Sequence, residues 1–268
     1  MITFSRLGRY GNLGNSMFQL AATVGIAAKK GYEVKVPKHP TYFDTNYNCN
    51  NVSVFDGFDI NVSILSDKDF LQIKHAYNET LFHYNENIFN IEDNTDICGY
   101  FQSEKYFAHA EKDIKELFNF KTVHIEEADN LFKQYNILPE ETTSIHVRRG
   151  DYVQKQASHC LMDNSYYEQA FKLTKLKNIL IFSDDIPWCK QNIVGKNIYY
   201  SDTGSCFTDL RAMSLCRNNI IANSTFGWWG AWLNKYTDKI IVGPNKWFGP
   251  ANSHIVTDDI LPSTWIKI

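Results

Sequence analysis

Two adjacent arginines follow a predicted strand near the middle of the chain. The segment Thr142–Val147 is rich in β-branched residues, and Arg148, Arg149, Gly150 and Asp151 come directly after it. A guanidinium forms planar, bidentate hydrogen bonds with phosphate and keeps its charge at any working pH. An arginine pair at this place therefore predicts a diphosphate site. The alternative is an ion pair with Asp151 or another carboxylate.

Polar clusters also follow three other predicted strands. They are Ser183-Asp184-Asp185, Ser201-Asp202 and Asn223-Ser224-Thr225. In a parallel sheet all of these clusters lie at one edge, where α/β proteins bind their ligands. The third cluster also begins a predicted helix, whose first amides can bind phosphate. A plain helix cap is the alternative interpretation of that cluster.

Asp184 and Asp185 allow three interpretations. The carboxylates could bind a metal ion, although no second acidic cluster or pair of histidines supports one. A carboxylate could instead accept the two adjacent N–H donors of a guanine base. The third interpretation is a cap for the helix that begins near Ile186.

The surrounding elements indicate an α/β protein. The strands are predicted at 2–4, 32–36, 97–101, 144–147, 179–182, 197–200, 219–222 and 239–242. The helices are predicted at 104–118, 165–176, 187–192, 207–216 and 226–233, with one more between 119 and 141. An earlier helix is indicated by apolar residues at helical spacing from Met17 to Ala28, followed by Lys29, Lys30 and Gly31.

Strands alternating with helices predict βαβ units and a mainly parallel sheet. Residues 38–95 show no clear period and are predicted to form loops and short elements. A boundary near Pro139 divides the chain into an N-terminal lobe, 1–140, and a C-terminal lobe, 141–268.

Composition excludes several classes of protein. The 268 residues carry a net charge of -3, which argues against non-specific binding of nucleic acid. No apolar run approaches the roughly 20 residues of a membrane span, and the N-terminus has no apolar region typical of a signal peptide. We therefore expect a cytoplasmic protein, and peripheral association with the inner face of the membrane stays open. The six cysteines have no C-x-x-C spacing and are expected to be reduced.

Other signals are weaker. The turn 11–15 could hold phosphate on backbone amides, but it is not a G-x-G-x-x-G fingerprint, which disfavours a dehydrogenase. His146 and the aromatic residues Phe226, Trp228 and Trp229 are expected in the core. The residues alone therefore predict an α/β protein that binds a phosphorylated, nucleotide-like ligand between two lobes.

Five blocks of sequence together resemble the bacterial α-1,2-fucosyltransferases of glycosyltransferase family 11, in the order of that family. They are Gly11-Asn12-Leu13-Gly14-Asn15-Ser16-Met17-Phe18-Gln19, Gly99-Tyr100-Phe101-Gln102, His146-Val147-Arg148-Arg149-Gly150-Asp151-Tyr152, Ser183-Asp184-Asp185 and Ile220-Ile221-Ala222-Asn223-Ser224-Thr225-Phe226-Gly227-Trp228-Trp229. The third and fifth blocks are specific in combination.

The resemblance implies a GT-B-like fold of two Rossmann-type lobes, with the donor nucleotide site in the C-terminal lobe. It implies transfer of fucose from GDP-β-L-fucose to the 2-hydroxyl of a terminal galactose in an oligosaccharide. It also implies that this transfer inverts the anomeric centre and needs neither a metal ion nor a cofactor.

The resemblance also implies roles for individual residues. Arg148, supported by Arg149, would hold the diphosphate, and His146 would lie near the nucleotide. Asp184 or Asp185, next to Ser183, would recognise guanine. The remaining donor-site residues would be Gly14, Asn15, Asn223, Ser224, Thr225 and Phe226.

Arg148, Asp151 and Asn15 are the predicted catalytic residues. The general base is left open among Asp151, Asp184, Asp185, Asp209 and His146. Ser16 departs from the family, which usually has Gln there, and the shorter side chain would alter a contact of that loop to the donor or the acceptor.

Two alternatives remain at this point. One is a transferase of the same fold that uses another nucleotide sugar. The other is a nucleotide- or glycan-binding protein without turnover, favoured only by Ser16.

Overall fold

The chain forms two compact units, each organised by a parallel β-sheet. The computed structural model describes residues 1–38 and 52–268. The first unit comprises Met1–Lys121 with Val256–Pro262, and the second comprises Thr122–Ile255 with Ser263–Ile268. The boundary thus falls earlier than the position predicted near residue 140. The reason is that the helix Thr122–Tyr135 packs against a helix of the second unit.

The first unit contains a five-stranded sheet in the order β3-β2-β1-β5-β4, with all neighbouring pairs parallel. Its strands are β1 (Ile2–Thr3), β2 (Val34–Val36), β3 (Ser63–Ile64), β4 (His75–Asn78) and β5 (Thr95–Cys98). Its α-helices are α1 (Leu13–Lys30), α2 (Val54–Gly57), α3 (Asp67–Phe70) and α4 (Glu111–Leu117).

Helix α1 confirms the prediction made from its apolar spacing. Met17, Leu20 and Ala21 are fully buried. Lys29 and Lys30 occupy the last turn, where cations favour the helix dipole. Gly31 ends the helix in the left-handed conformation with φ 68°, a region that glycine adopts without steric cost.

Two predictions for the first unit need correction. The strand predicted at 97–101 ends at Cys98. The helix predicted at 104–118 is two short 3-10 turns followed by α4, because Phe107 has an extended φ of -142° that interrupts a continuous helix. The loops and short elements predicted for 38–95 are confirmed in the described part of that region, which contains α2, β3, α3 and β4, while residues 39–51 lie outside the described part of the chain.

The second unit contains a six-stranded parallel sheet in the order β11-β10-β9-β6-β7-β8. Its strands are β6 (Thr142–Val147), β7 (Asn178–Ser183), β8 (Ile198–Tyr200), β9 (Asn218–Ile220), β10 (Ile241–Gly243) and β11 (Ile266–Lys267). Its α-helices are α5 (Thr122–Tyr135), α6 (Asn164–Thr174), α7 (Ile186–Asn192), α8 (Cys206–Leu215) and α9 (Thr225–Trp232).

This sheet has the strand order of a Rossmann fold. From the central strand β6 the chain proceeds outward to β7 and β8, then returns to β9 on the other side of β6. The point where the strand order reverses therefore lies between β6 and β9. The alternating strands and helices predicted for this unit are confirmed, with shifts of one or two residues at most of their ends.

Apolar side chains from the strands form the core of the second unit. Ile145, Ile181, Ile220 and Val242 are buried in one cluster with residues of α6 such as Tyr167. Parallel strands that are buried on both faces appear in the sequence as nearly continuous runs of apolar residues. Within the described residues, no helix has the length and apolar character needed to cross a membrane.

Gly25 gives a test of the packing around α1. A Cβ atom at this position would lie 2.5 Å from the Tyr106 carbonyl oxygen and 2.6 Å from Phe107 Cα. Gly25→Ala should therefore lower the free energy of unfolding by about 1–2 kcal/mol, since overpacking outweighs the gain in helix propensity. Urea unfolding measures this change. Ala28→Ser, which adds one atom on the exposed face of the same helix, should change stability by no more than about 0.5 kcal/mol.

Candidate functional site

The predicted polar clusters meet at the carboxyl edge of the second sheet. All six strands run parallel, so the segments after β6, β7, β8 and β9 emerge on the same side. The Arg148 segment and the segment 223–226 follow the two strands that flank the reversal in strand order. Open α/β sheets bind ligands at such a position.

Arg148 is held by two carboxylates. Its Nη2 donates to Asp151 Oδ1 at 2.6 Å, and its Nη1 lies 2.7 Å from Asp184 Oδ2. The guanidinium carbon also lies 5.1 Å from the ring centre of Tyr152. The ion pair with a carboxylate, which was the alternative to a diphosphate site, is therefore present. This ion pair fixes a cation at the rim of the second sheet, which is the carboxyl edge of its strands. The Arg148 side chain keeps 22% of its surface exposed there.

Arg149 is fixed in a similar way. Its Nε donates to Asp185 Oδ2 at 3.1 Å, and its guanidinium carbon lies 4.0 Å from the ring centre of Trp188. Asp185 also accepts a hydrogen bond from Trp188 N at 3.1 Å and so caps α7. The cap interpretation of Asp185 is thus confirmed, and guanine recognition by Asp184 or Asp185 stays a prediction.

Gly150 allows the loop after β6 to approach the loop after β7. Asp184 Oδ1 accepts a hydrogen bond from Arg149 N at 2.9 Å. A Cβ atom on Gly150 would lie 2.3 Å from Asp184 Oδ2. No larger residue fits here unless the Asp184 carboxylate moves and its bond to Arg148 changes.

Asp151, one of the predicted catalytic residues, lies among cations. Burial alone would raise the pKa of Asp151, but a hydrogen bond from Lys155 and the charge of Arg148 lower it overall. Asp151 is therefore ionised at neutral pH and already engaged by two cations. This makes it a poor proton acceptor and a good support for Arg148.

His146 lies in β6, beneath the rim. The side chain is buried, and its Nδ1 atom has no hydrogen-bond partner among the described residues. Burial, together with the charge of Arg148, lowers the pKa of His146 to about 3. The imidazole is therefore neutral at physiological pH. Its ring centre lies 5.5 Å from that of Phe226, and a Cβ atom on Gly227 would come within 2.7 Å of Nδ1.

Hydrogen bonds of Asn223 fix the segment that leads into α9. The Asn223 side chain donates to the carbonyl oxygens of Trp247 and Cys160, and the Asn223 carbonyl accepts from Tyr152 Oη at 3.3 Å. Ser224 caps the helix by accepting from Phe226 N at 3.4 Å. Thr225 and Phe226 are partly exposed at the start of α9.

The same helix confirms the prediction for its aromatic residues only in part. Trp228 and Trp229 are fully buried, as expected of core residues. Phe226, at the start of the helix, is partly exposed and faces His146 instead. One end of α9 thus belongs to the rim and the rest to the core.

The structure places Gly14 and Asn15 in the first unit. Both lie in the first turn of α1, where Gly14 is buried and Asn15 is partly exposed. Asn15 Oδ1 accepts a hydrogen bond from Gln102 Nε2 at 3.0 Å. The other predicted site residues all belong to the second unit.

Sequence reasoning did not single out Tyr152 and Trp188 as contacts of the arginines. Tyr152 lies against Arg148 and stacks on His159 with ring centres 4.2 Å apart. Trp188 lies against Arg149. Their places in the sequence, directly after Asp151 and three residues after Asp185, were the available signals, since arginine often packs on aromatic faces.

The remaining candidates for a general base differ in their surroundings. Asp209 accepts hydrogen bonds from Ser201 and Thr203 at 2.6 and 2.8 Å, and burial raises its pKa.

In residues 1–38 and 52–268, no group of three His, Cys, Asp or Glu side chains is arranged to hold a metal ion. The prediction of a reaction without metal stays a prediction.

Comparison with solved structures defines the class of fold. Fucosyltransferase NodZ from Bradyrhizobium matches 85% of this chain and 92% of its own, with a TM-score of 0.54 and 14% sequence identity. POFUT1 in complex with GDP-fucose matches 90% of this chain and 97% of its own, with a TM-score of 0.57 and 11% identity. The chain therefore has the GT-B-like α/β fold of these glycosyltransferases.

The sequence profile of Glycosyl transferase family 11 matches residues 11–268, and the chain belongs to this family. An alpha-1,2-colitosyltransferase of Escherichia coli is 27% identical over 96% of both chains. The O-antigen biosynthesis glycosyltransferase WbnK of Escherichia coli is 37% identical over 52% of this chain and 48% of its own length. Human galactoside alpha-(1,2)-fucosyltransferase 1 is 26% identical, and the match covers 42% of that protein. The matches to the last two proteins thus span less than half of their lengths.

Gly227 gives a test of the packing between β6 and α9. Gly227→Ala should lower the free energy of unfolding by about 1–3 kcal/mol, because the new methyl group meets the His146 ring. In a His146→Ala background the same substitution should cost clearly less, since the ring is gone. Urea unfolding of the four proteins measures both costs, and equal costs in the two backgrounds would show that His146 is not the obstacle.

Proposed function

We propose that this chain transfers L-fucose from GDP-β-L-fucose to the 2-hydroxyl of a terminal galactose, with inversion and without a metal ion. The observation that carries this proposal is the pair of arginines fixed beside the start of α9, at the reversal of the strand order. Relatives named as α-1,2 transferases support the linkage. Solved structures of the same fold that contain GDP or GDP-fucose support the donor class.

The charge arrangement suits departure of a nucleoside diphosphate. Negative charge grows on the diphosphate as the bond to the sugar breaks, and fixed donors stabilise it without reorganising. A guanidinium has five N–H donors, so a contact to each of Asp151 and Asp184 does not exhaust those of Arg148. The amides at the start of α9 would add further donors. In this proposal the fixed N–H donors of Arg148, supported by Arg149, take the place that a divalent ion has in other transferases.

The neutral His146 would border the nucleotide without adding charge. Its low pKa means that the neutral ring is a weak acceptor of a further proton at neutral pH. We therefore propose a packing role for His146 beside the nucleotide and no role as general base.

A second donor is supported by a specific observation. The Escherichia coli relative whose match covers 96% of this chain and 96% of its own length is named an alpha-1,2-colitosyltransferase. Colitose is fucose without the 3-hydroxyl group, so the two nucleotide sugars share the diphosphate, the base and the configuration at the reacting carbon. GDP-colitose is therefore the second candidate donor.

A direct assay decides between these donors. The purified chain is incubated with lactose and EDTA and with either GDP-fucose or GDP-colitose, and the products are identified by mass spectrometry and NMR. We expect a fucosyl-α-1,2-galactose product, with turnover at least several-fold higher for GDP-fucose. A preference for GDP-colitose would assign the second donor. Activity that is lost in EDTA and restored by Mn²⁺ would contradict the metal-free proposal, and GDP binding without any product would support a non-catalytic protein.

The role of Arg148 is tested by substitution. Arg148→Ala should lower kcat by about 10²–10³-fold, which is the usual cost of losing one fixed donor to a developing charge. Arg217→Ala is the matched control, because Arg217 also pairs with a carboxylate, Asp238, and also packs on a tyrosine ring, in the same unit. The control should keep its activity. Normal turnover in Arg148→Ala would contradict the assigned role.

A further inference from the structure

His159 has no role in the proposed function, although its ring covers that of Tyr152. It lies in the loop between the 3-10 turn Gly150–Val153 and α6. The imidazole and the phenol ring are nearly parallel, at 10°, and their centres lie 4.2 Å apart. Burial lowers the pKa of His159 below its usual value of 6.5, so the imidazole is neutral at neutral pH. A flat, uncharged ring therefore covers one face of Tyr152.

Backbone contacts with the segment 247–252 hold His159 in place. His159 and Phe248 form an isolated antiparallel β-bridge, and Gly249 N donates to the Ser158 carbonyl oxygen at 2.9 Å. A Cβ atom on Gly249 would lie 2.4 Å from a carbonyl oxygen of the loop that carries His159. A glycine is thus needed where the two segments approach each other. The backbone beneath the imidazole is fixed by these contacts.

Tyr152 connects the two segments that flank the reversal of strand order in the second sheet. Its ring centre lies 5.1 Å from the guanidinium carbon of Arg148, which follows β6. Its Oη donates at 3.3 Å to the carbonyl oxygen of Asn223, which lies between β9 and α9. The Asn223 side chain in turn donates to the carbonyl oxygen of Cys160, the neighbour of His159. The position of this one phenol ring therefore affects both flanks of the reversal.

We propose that His159 is a positioning residue that fixes the ring of Tyr152 and, through that ring, the guanidinium of Arg148. An ion pair at a partly exposed site does not by itself hold a long side chain in one geometry. A ring packed against the guanidinium restricts it further, so less freedom is lost when the arginine binds phosphate. The inference rests on the proposed function, in which Arg148 stabilises the departing diphosphate.

Substitutions of His159 separate the effect of the ring from that of its nitrogen atoms. His159→Phe keeps a flat ring against Tyr152 and should keep kcat within about twofold. His159→Ala and His159→Gln remove the ring and should lower kcat roughly tenfold, because Arg148 is then displaced rather than lost. Calorimetry should show weaker GDP binding in the same two variants and native binding in His159→Phe. Activity that is kept in His159→Gln and lost in His159→Phe would overturn the proposal.

His124→Ala is the matched control. His124 is also a partly buried histidine of the second unit, with 13% of its side chain exposed, and its ring packs on that of Phe207. Its hydrogen-bond partners are Thr208 and Ser205. The control should keep kcat and GDP affinity even where its melting temperature falls. An equal loss of activity in His124→Ala and His159→Ala would show that lowered stability explains the effect, and the positioning role would be wrong.

A double-mutant cycle shows whether His159 acts through Tyr152. Tyr152→Leu should lower kcat at least as much as His159→Ala does, since it removes the ring itself. The double variant should be no slower than Tyr152→Leu alone, because the imidazole then has no ring to hold. If the two losses multiply, His159 acts independently of Tyr152 and the proposal is overturned.

A readout that needs no turnover separates this inference from the proposed function. If the native chain transfers no sugar from either donor, the proposed function has failed. Heteronuclear NMR of the full chain then follows the Nε–Hε signal of Arg148, assigned with Arg148→Lys. We expect this signal to shift in His159→Ala and to stay near its native position in His159→Phe and His124→Ala. A signal that does not move in His159→Ala would overturn the positioning role.

Discussion

The ion pair between Arg148 and Asp184 is the interaction on which the rim of the second sheet depends. It joins the loops after β6 and β7, and the same carboxylate also accepts from the Arg149 backbone. Partly buried charges are costly unless they are paired and hydrogen-bonded. Here three cations, Arg148, Arg149 and Lys155, contact three carboxylates, Asp151, Asp184 and Asp185, so their charges balance. A ligand would therefore be recognised by fixed donors rather than by a strong net field.

Close approach of backbone segments is the second constraint at this rim. Gly150 lies against Asp184, and Gly227 lies against His146. At each glycine a side chain would displace a group of the candidate site. The buried tryptophans of α9 hold the helix in the core, while its first turn faces the rim. The aromatic rings of Tyr152 and Trp188 complete the arrangement by supporting the two guanidinium groups.

The two units use the same topological feature. In each sheet the chain proceeds outward from a central strand and then resumes on its other side. In the second unit, Arg148 and the start of α9 flank this reversal. In the first unit, the start of α1 and the block 99–102 flank it, and the bond between Gln102 and Asn15 joins them. Four of the five sequence blocks that mark the family thus fall at the reversal of strand order in the two sheets, and the fifth, 183–185, follows β7 beside it.

The sequence by itself determined the strands and helices of the second unit, apart from the short edge strand β11, and the edge at which its polar clusters meet. Buried parallel strands give apolar runs that are readable without a structure, and their common direction fixes which residues follow them. The short strands β3 and β4 could not be predicted, because they are mostly exposed and show no alternation.

Contacts between distant residues were decided only by the tertiary structure. The sequence contains Asp184 and Arg148, but only the packed loops show that the carboxylate binds the guanidinium. Gln102 was visible in a family block, yet its partner Asn15 lies 87 residues away in the chain. Glu79 belonged to no block, and it meets the backbone amides of Tyr100 and Phe101 only because β4 lies beside β5. Local sequence patterns carry information about burial and direction, whereas these bonds depend on which segments the sheet places side by side.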